Sequence, residues 1–141
     1  MNFVLDNSVA MLWLLPQSNP AGIELADRVL QLLQNDEASV PSLWTLEAAN
    51  VIAKSQRLGK ITQAQAFAFV MLLDGLRICV DGSTAQRALS ATLDLARQFR
   101  LSAYDAAYLE LALRENLPIA TLDQDLQRAA RMAGVQMVTC T

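Results

Sequence analysis

Short apolar runs alternate with helical patterns along the chain. Runs typical of buried strands lie at residues 3–6, 38–41, 78–80 and 118–121, and a fifth lies at 135–138. Between them, apolar residues recur every three or four positions, which predicts helices at 8–15, 21–33, 42–58, 62–73, 84–99, 105–115 and 123–133. This alternation predicts an α/β domain with a mostly parallel sheet covered by helices on both faces. In such a sheet, ligands bind beyond the carboxyl ends of the strands.

Composition limits the chemistry that is open to the chain. Its 141 residues are the length of one ordinary domain, so we expect a single domain spanning 1–141. It has no histidine, so the commonest general base and transition-metal ligand is missing. Catalysis would have to rest on carboxylates, hydroxyls, amines or a hard metal ion. The formal net charge of -3 argues against broad electrostatic binding of nucleic acid, which usually accompanies a basic domain.

Hydrophobic and cysteine content bear on partners and location. Hydrophobic residues make up 53% of the chain and charged residues only 18%, so we expect some apolar surface to be kept for a partner or for self-association. Polar residues break the longest apolar runs well before they could span a membrane. Cys79 and Cys140 lie far apart without metal-ligand spacing, and we expect no signal peptide. Reduced thiols in a cytoplasmic protein are the simpler interpretation.

Four carboxylates stand apart from the other acidic residues. Asp6 ends the first predicted strand and Asp123 directly follows the fourth, so both are expected at the carboxyl edge of the sheet. Glu47 sits in an otherwise apolar helical segment, and Asp105 lies in the first turn of a helix. Most other acidic residues sit among polar neighbours, as on solvated helix faces: Glu24, Asp27, Asp36, Glu37, Asp94 and Glu115.

Each of the four also has a structural explanation. Asp6 and Asp123 could cap the helices that follow their strands, and Asp105 could be stabilised by the helix dipole. Glu47 could pair with a basic residue two or more turns later in its helix. Together, however, four carboxylates at one edge would repel each other and raise some of their pKa values. A hard cation such as Mg²⁺ or Mn²⁺ would relieve that repulsion, because it prefers oxygen ligands, and it would support phosphoryl chemistry without histidine.

Four segments match one known family in their order and spacing. They are residues 4–8 (VLDNS), 40–50 (VPSLWTLEAAN), 101–112 (LSAYDAAYLELA) and 119–126 (IATLDQDL). None is diagnostic alone, but together they resemble the PIN-domain nucleases, and among these the VapC-like toxins of type II toxin–antitoxin pairs. The resemblance covers nearly the whole chain. It implies a compact three-layer α/β/α domain with a central, mostly parallel sheet.

The resemblance also implies a site, an activity and partners. It implies that an acidic cluster holds Mg²⁺ or Mn²⁺: Asp6, Glu47, Asp105 and Asp123. It implies polar support from Ser8 and Thr121, with Asp125 as a more variable neighbour. The implied activity is endoribonuclease cleavage of RNA by metal-activated water, with no protein nucleophile. Members of the toxin group are usually homodimers, and a cognate antitoxin commonly wraps and inhibits the toxin groove.

Two other functions remain open. A phosphatase or phosphotransferase would use Asp6 as a nucleophile, but such sites usually carry a second Asp two residues later, where this chain has Ser8. A catalytically inactive PIN-like binding module is the non-enzymatic alternative. The presence of all four acidic residues disfavours that module, although acidic residues can also persist for structural reasons.

Few residues offer contacts to RNA or to a partner protein. Basic residues near the acidic motifs could reach phosphates or could simply be solvated helix ends: Lys54, Arg57, Lys60, Arg97, Arg100, Arg128 and Arg131. Tyr104 and Tyr108 flank Asp105, and either a place in the groove or ordinary packing would explain them. The apolar segments around Leu12 and Leu15 and at residues 67–73 are candidate dimer or antitoxin surfaces.

Overall fold

The sheet at the centre of the molecule has four parallel strands. The computed structural model describes residues 1–140, and its strands lie at Phe3–Leu5, Ala38–Val40, Ile78–Val80 and Ile119–Ala120, called β1 to β4 in chain order. Their order across the sheet is β3-β2-β1-β4, and every pairing is parallel. The carboxyl ends of all four strands therefore meet at one edge, as the sequence predicts.

Helices flank the sheet in the predicted three-layer α/β/α arrangement. The α-helices of the described residues are Asn7–Ala10 (α1), Ile23–Leu32 (α2), Leu43–Arg57 (α3), Gln63–Gly75 (α4), Thr84–Arg87 (α5), Leu93–Phe99 (α6), Ala103–Glu115 (α7) and Gln124–Met132 (α8). None of the helices within residues 1–140 combines the length and the apolar character needed to cross a membrane.

The core is centred on β1 and α7. Every residue of β1 is completely buried, as expected for a central strand covered on both faces. Helix α7 packs against β1, β2 and β4, and its Tyr108 and Leu109 are almost fully buried. Because α7 leads directly into β4, it runs from the carboxyl edge of the sheet back to the amino edge. Its first turn therefore lies beside the strand ends.

Two predicted helices are interrupted. The first ends at Ala10 and continues only as a 3-10 turn, Met11–Trp13. Pro16 disfavours the α conformation at the residue before it, and Leu15 accordingly has φ -129° and ψ 65°. The helix predicted at 84–99 consists of α5, a π-helical segment at Ala88–Thr92, and α6.

The strand predicted at 135–138 is wrong. One isolated parallel bridge joins Met137 to Ile119, supported by the hydrogen bonds from Ile119 N to Gln136 O and from Val138 N to Ile119 O, both at 2.9 Å. Its neighbour β4 is only two residues long, so it offers no ladder along which a fifth strand could extend.

A partly buried ion network links α7 to the end of β3, and no local pattern of the chain predicts it. Arg114 bonds Asp81 Oδ2 through Nη2 at 2.7 Å and Glu110 Oε2 through Nε at 2.9 Å. Thr84 Oγ1 also donates to Asp81 and accepts the backbone N–H of Ser42. The Arg114 hydrogen bonds hold the pKa of Asp81 below its usual value of 3.8. This network fixes the loop after the edge strand against α7.

The candidate apolar surfaces fare differently. Leu12 and Leu15 are buried in the core, so the prediction of a docking surface there is wrong. The α4 face carries four large apolar side chains that are 37–68% exposed: Phe67, Val70, Met71 and Leu72. This α4 face remains available to a partner.

Candidate functional site

Asp6 lies buried at the end of β1 in a cradle of hydroxyls. Its Oδ2 accepts hydrogen bonds from Ser8 Oγ and Thr121 Oγ1, each at 2.7 Å. The same hydroxyls accept the backbone N–H groups of Leu122 and Asp123, each at 3.0 Å. Both hydroxyl protons therefore point at Asp6, which is the arrangement that an ionised carboxylate requires. Asp6 makes no side-chain cap to α1, so the capping explanation does not account for it.

The environment of Asp6 disfavours its charge despite this cradle. Burial raises the pKa of Asp6 above its usual 3.8, and the hydrogen bonds from Thr121 and Ser8 oppose that rise without cancelling it. The nearby negative charge of Asp123 raises it further. An ionised Asp6 is consequently a buried anion held in place by hydroxyls, and it has no salt-bridge partner among the described residues.

Glu47 projects from α3 and meets α7. It is half-buried, and Tyr108 Oη donates a short hydrogen bond of 2.5 Å to its Oε1. Burial raises the pKa of Glu47, the Tyr108 hydrogen bond lowers it, and the charges of Asp6 and Asp105 raise it again. Within residues 1–140 Glu47 forms no ion pair, so a basic partner in its own helix does not explain it. The sequence left Tyr108 between a place in the groove and ordinary packing; in the structure it is buried in the core and donates to Glu47.

Asp105 lies in the first turn of α7. The N-cap residue is Ser102, whose Oγ accepts the Asp105 backbone N–H at 3.1 Å. A helix N-terminus ordinarily favours a carboxylate, yet the pKa of Asp105 rises from 3.8 to about 6. Burial is the largest cause, followed by the charges of Asp123 and Asp6. The helix dipole therefore does not offset the combined effect of desolvation and repulsion.

Asp123 and Asp125 have different surroundings. Asp123 is the N-cap of α8, where its Oδ1 accepts the Leu126 N–H at 2.9 Å, so the capping explanation holds for one of its oxygens. Its charge nevertheless acts on both Asp6 and Asp105. Asp125 is exposed and paired with Arg128 at 3.1 Å, and it is only the last of the causes that raise the pKa of Asp105. That Asp123 rather than Asp125 belongs to the site stays a prediction.

Asn7 was missed as a positioning residue. It is buried, and its Nδ2 donates to the backbone carbonyl of Trp44 at 2.9 Å, which ties the end of β1 to the start of α3. Glu47 lies one turn beyond Trp44, so this bond fixes the helix that carries it. The position of Asn7 directly after Asp6 was the one available signal.

The oxygen ligands of the site fit a hard divalent cation that keeps part of its water shell. The side-chain oxygens are hard ligands, and no Lys or Arg of residues 1–140 pairs with Asp6, Glu47 or Asp105. Yet no three Asp, Glu, His or Cys side chains in this part of the chain are arranged to hold a metal ion as they stand. Mg²⁺ commonly uses one or two carboxylates and completes its shell with water and substrate phosphate. The residues fit that mode rather than an all-protein cage.

Comparisons with known proteins agree with this architecture. Among solved structures, VapBC2 from Rickettsia felis, bound to a DNA fragment from its promoter, matches over 98% of both chains with a TM-score of 0.65 and 13% identity. PAE2754 from Pyrobaculum aerophilum matches over 92% of this chain and 87% of its own, with a TM-score of 0.62 and 21% identity. VapBC-1 from nontypeable Haemophilus influenzae matches over 99% and 98%, with a TM-score of 0.59 and 20% identity.

These likenesses are of fold. No curated protein sequence matches the chain significantly. The family model described as the PIN domain matches residues 3–132 of the 141 residues, from the first strand to the last helix. The chain therefore belongs to the PIN domain family.

Proposed function

We propose that this chain is a Mg²⁺- or Mn²⁺-dependent endoribonuclease and the toxin of a cytoplasmic toxin–antitoxin pair. PIN domains are nucleases, which supports a hydrolase acting on phosphodiester bonds. The observation that carries the proposal is the mutual repulsion at the sheet edge, where the charges of neighbouring carboxylates contribute to the raised pKa values of Asp6, Glu47 and Asp105. Proteins accept such unpaired charge at functional sites more often than elsewhere.

The four carboxylates take complementary roles in this proposal. Asp6 and Asp105 bind the cation, while Glu47 and Asp123 complete the site. A bound divalent cation supplies positive charge for the phosphoryl oxygens and lowers the pKa of a water molecule. Two hydroxyls, those of Ser8 and Thr121, hold Asp6 Oδ2 in one orientation.

The partner part of the proposal rests on the neighbours and on one surface. The matched VapBC structures are toxin–antitoxin assemblies, which supports a cognate antitoxin for this chain. The exposed α4 face, with Phe67, Val70 and Met71, is large apolar surface that a second copy or an antitoxin could bury. We therefore expect a homodimer that an antitoxin binds and inhibits.

Cleavage of total cellular RNA tests the enzyme. The parent chain should give discrete fragments with Mg²⁺ or Mn²⁺ and none with EDTA. Asp6→Asn and Asp105→Asn should each lose cleavage while remaining folded by circular dichroism. Asp27→Asn is the matched control, because Asp27 is an exposed carboxylate on α2 and is not among the charges that act on Asp6, Glu47 or Asp105. Full metal-dependent cleavage by folded Asp6→Asn would refute the assignment.

A catalytically inactive PIN-like binding module is the second candidate. The observation that favours it is that no three carboxylates of the described residues are arranged to hold a metal. Mn²⁺ titration by calorimetry separates the two functions. Stoichiometric binding that Asp105→Asn weakens supports the nuclease, and no binding with or without RNA supports the module. The phosphatase alternative is weaker, since the Oδ2 of Asp6 already accepts two hydroxyls and the residue is buried.

A further inference from the structure

An open pocket of about 350 Å³ adjoins the carboxylate cluster. It lies between the N-terminal halves of α3 and α7 and is lined by Leu43, Leu46, Glu47, Asn50 and Tyr104. The four α3 residues recur at helical spacing, so they form one stripe that faces Tyr104. Glu47 belongs both to the pocket wall and to the acidic cluster, so the pocket adjoins the acidic site.

The pocket walls are too exposed to belong to the core. Leu46 is 76% exposed and Tyr104 is 67% exposed, although both are large and lie within a helix. The Tyr104 hydroxyl and the Asn50 amide have no hydrogen-bond partner within residues 1–140. An aromatic face, an aliphatic side chain and an amide thus stand together beside the acidic site and are largely open to solvent.

The charges around the pocket restrict the class of ligand that it can bind. Glu47 lies in its wall, no Lys or Arg lines it, and the chain carries a net charge of -3. A phosphate group would be repelled there, and an acidic peptide equally so. A neutral, planar group with hydrogen-bond donors and acceptors at its edge is compatible with the aromatic face, the aliphatic wall and the amide, and a nucleobase has that chemistry.

We propose that this Tyr104 pocket seats one unpaired nucleobase of an RNA substrate, stacked on the Tyr104 ring with its edge hydrogen-bonded by the Asn50 amide. The inference rests on the proposed nuclease function and adds a base-binding role for Tyr104 and Asn50. Stacking contributes affinity that does not depend on basic residues, which this chain has in small number. Because Tyr104 directly precedes Asp105, a base held there brings a neighbouring phosphate of the same strand to the acidic site.

Binding of labelled RNA, followed by fluorescence anisotropy in EDTA so that the strand stays intact, tests the pocket. Tyr104→Ala and Tyr104→Leu should weaken binding of a single-stranded oligoribonucleotide roughly 5- to 100-fold, which is the range for loss of one base–aromatic stack. Tyr104→Phe should bind as the parent does, because the ring face remains. Leu89→Ala is the matched control, since Leu89 is 89% exposed and lies outside the pocket and the acidic site.

Strands that carry one abasic nucleotide, placed at each position in turn, distinguish base stacking on Tyr104 from a merely structural role of that residue. One abasic position should weaken binding to the parent and leave binding to Tyr104→Ala unchanged, so that the two losses do not add. Three results would overturn the proposed base pocket. The losses could add at every abasic position, Tyr104→Ala could bind RNA like the parent, or the parent could bind no RNA. A Tyr104→Ala variant that loses affinity only for a protein partner would overturn it as well.

The two proposals fail separately. If the parent binds single-stranded RNA through Tyr104 but cuts none with Mn²⁺, the nuclease is refuted and the base pocket stands as part of a binding module. If the parent cuts RNA and Tyr104→Ala cuts with unchanged KM and kcat, the nuclease stands and the base pocket is refuted.

Discussion

Replacing Asp105 with asparagine should stabilise the protein when no divalent cation is present. Asp105 is partly withdrawn from water, and the charges of Asp123 and Asp6 act on it, so that its pKa rises from 3.8 to about 6. Its ionised form therefore costs folding free energy at neutral pH. Asparagine keeps the shape of the side chain and removes the charge. The same substitution should remove the proposed activity, which gives the opposed effects on stability and function expected at an active site.

The size of the gain follows from the shift. A rise from 3.8 to about 6 corresponds to at most about 3 kcal/mol at 1.36 kcal/mol per unit. Because Asp105 is only half-buried, solvent screening reduces this to roughly 1.5 kcal/mol. Loss of the carboxylate from the first turn of α7 removes about 0.5 kcal/mol of helix-dipole stabilisation. We therefore expect Asp105→Asn to raise the free energy of unfolding by about 1 kcal/mol at pH 7.5.

The gain should depend on pH in a defined direction. A carboxyl whose pKa is raised on folding binds its proton more tightly in the folded state, so protonation stabilises the fold. That stabilisation is complete below the unfolded pKa of 3.8 and is lost as pH rises to about 6. The difference between the parent and Asp105→Asn should be largest above pH 6 and should shrink progressively toward pH 4.

Urea unfolding followed by circular dichroism at several pH values, in EDTA, measures this difference. The matched control is Asp94→Asn, because Asp94 also lies in the first turn of a helix, but is exposed and faces Arg97 at 3.9 Å. That variant should be neutral or slightly less stable. Adding Mn²⁺ should raise the midpoint of the parent more than that of Asp105→Asn. A variant that is less stable than the parent at pH 7.5 in EDTA would show that burial and the neighbouring charges do not destabilise the ionised form of Asp105.

Three further substitutions test the contacts that hold the site. Arg114→Ala should lower the free energy of unfolding by roughly 3–5 kcal/mol in urea titrations, since it leaves Asp81 and the buried Glu110 without their partner. The control Arg97→Ala, at an exposed ion pair, should lower it by about 1 kcal/mol or less. Thr121→Val should lower the free energy of unfolding by about 1–3 kcal/mol, because it removes a hydrogen bond to Asp6 and leaves the Asp123 N–H unpaired. Thermal unfolding should show no such loss for Thr45→Val, at an exposed position. Asn7→Ala should cost about 1–2 kcal/mol and slow RNA cleavage, because it frees the helix that carries Glu47 from β1, whereas Asn2→Ala, at an exposed bond, should leave the cleavage rate unchanged.

Local signals were sufficient for most of the fold. The Phe3–Leu5 run is buried on both faces and is therefore continuously apolar, which is the pattern that marks a central parallel strand. Thr62 was predicted to begin α4, and it does so through a reciprocal capping box with Gln65. The wrong strand prediction has a tertiary cause. Whether residues 135–138 form a strand depends on the length of β4, and no periodicity in the segment itself reports that length.

Position in the sequence identified the carboxylates but not how they are held. Asp6 and Asp123 follow strands, so a parallel sheet brings them to one edge whatever their side-chain contacts are. The Tyr108 bond to Glu47 and the Asn7 bond to Trp44 join residues 61 and 37 positions apart, and nothing local to either member of a pair encodes the other. The Arg114 bridge to Asp81 likewise spans 33 residues. Long-range polar pairs of this kind require the fold before they can be recognised.

The electrostatics of the site connect the proposed activity to the proposed base pocket. Without a cation, the carboxylates at the sheet edge repel the phosphates of RNA as well as each other, and a chain of net charge -3 has few basic residues to compensate. Under the proposed function, binding of RNA and binding of a divalent cation should therefore favour each other, and by linkage each should raise the affinity for the other by the same factor. Stacking of a base on Tyr104 does not depend on charge. It can therefore hold an RNA strand near the site before a divalent cation is bound. An acidic nuclease therefore has a physical reason to recognise bases in addition to phosphates.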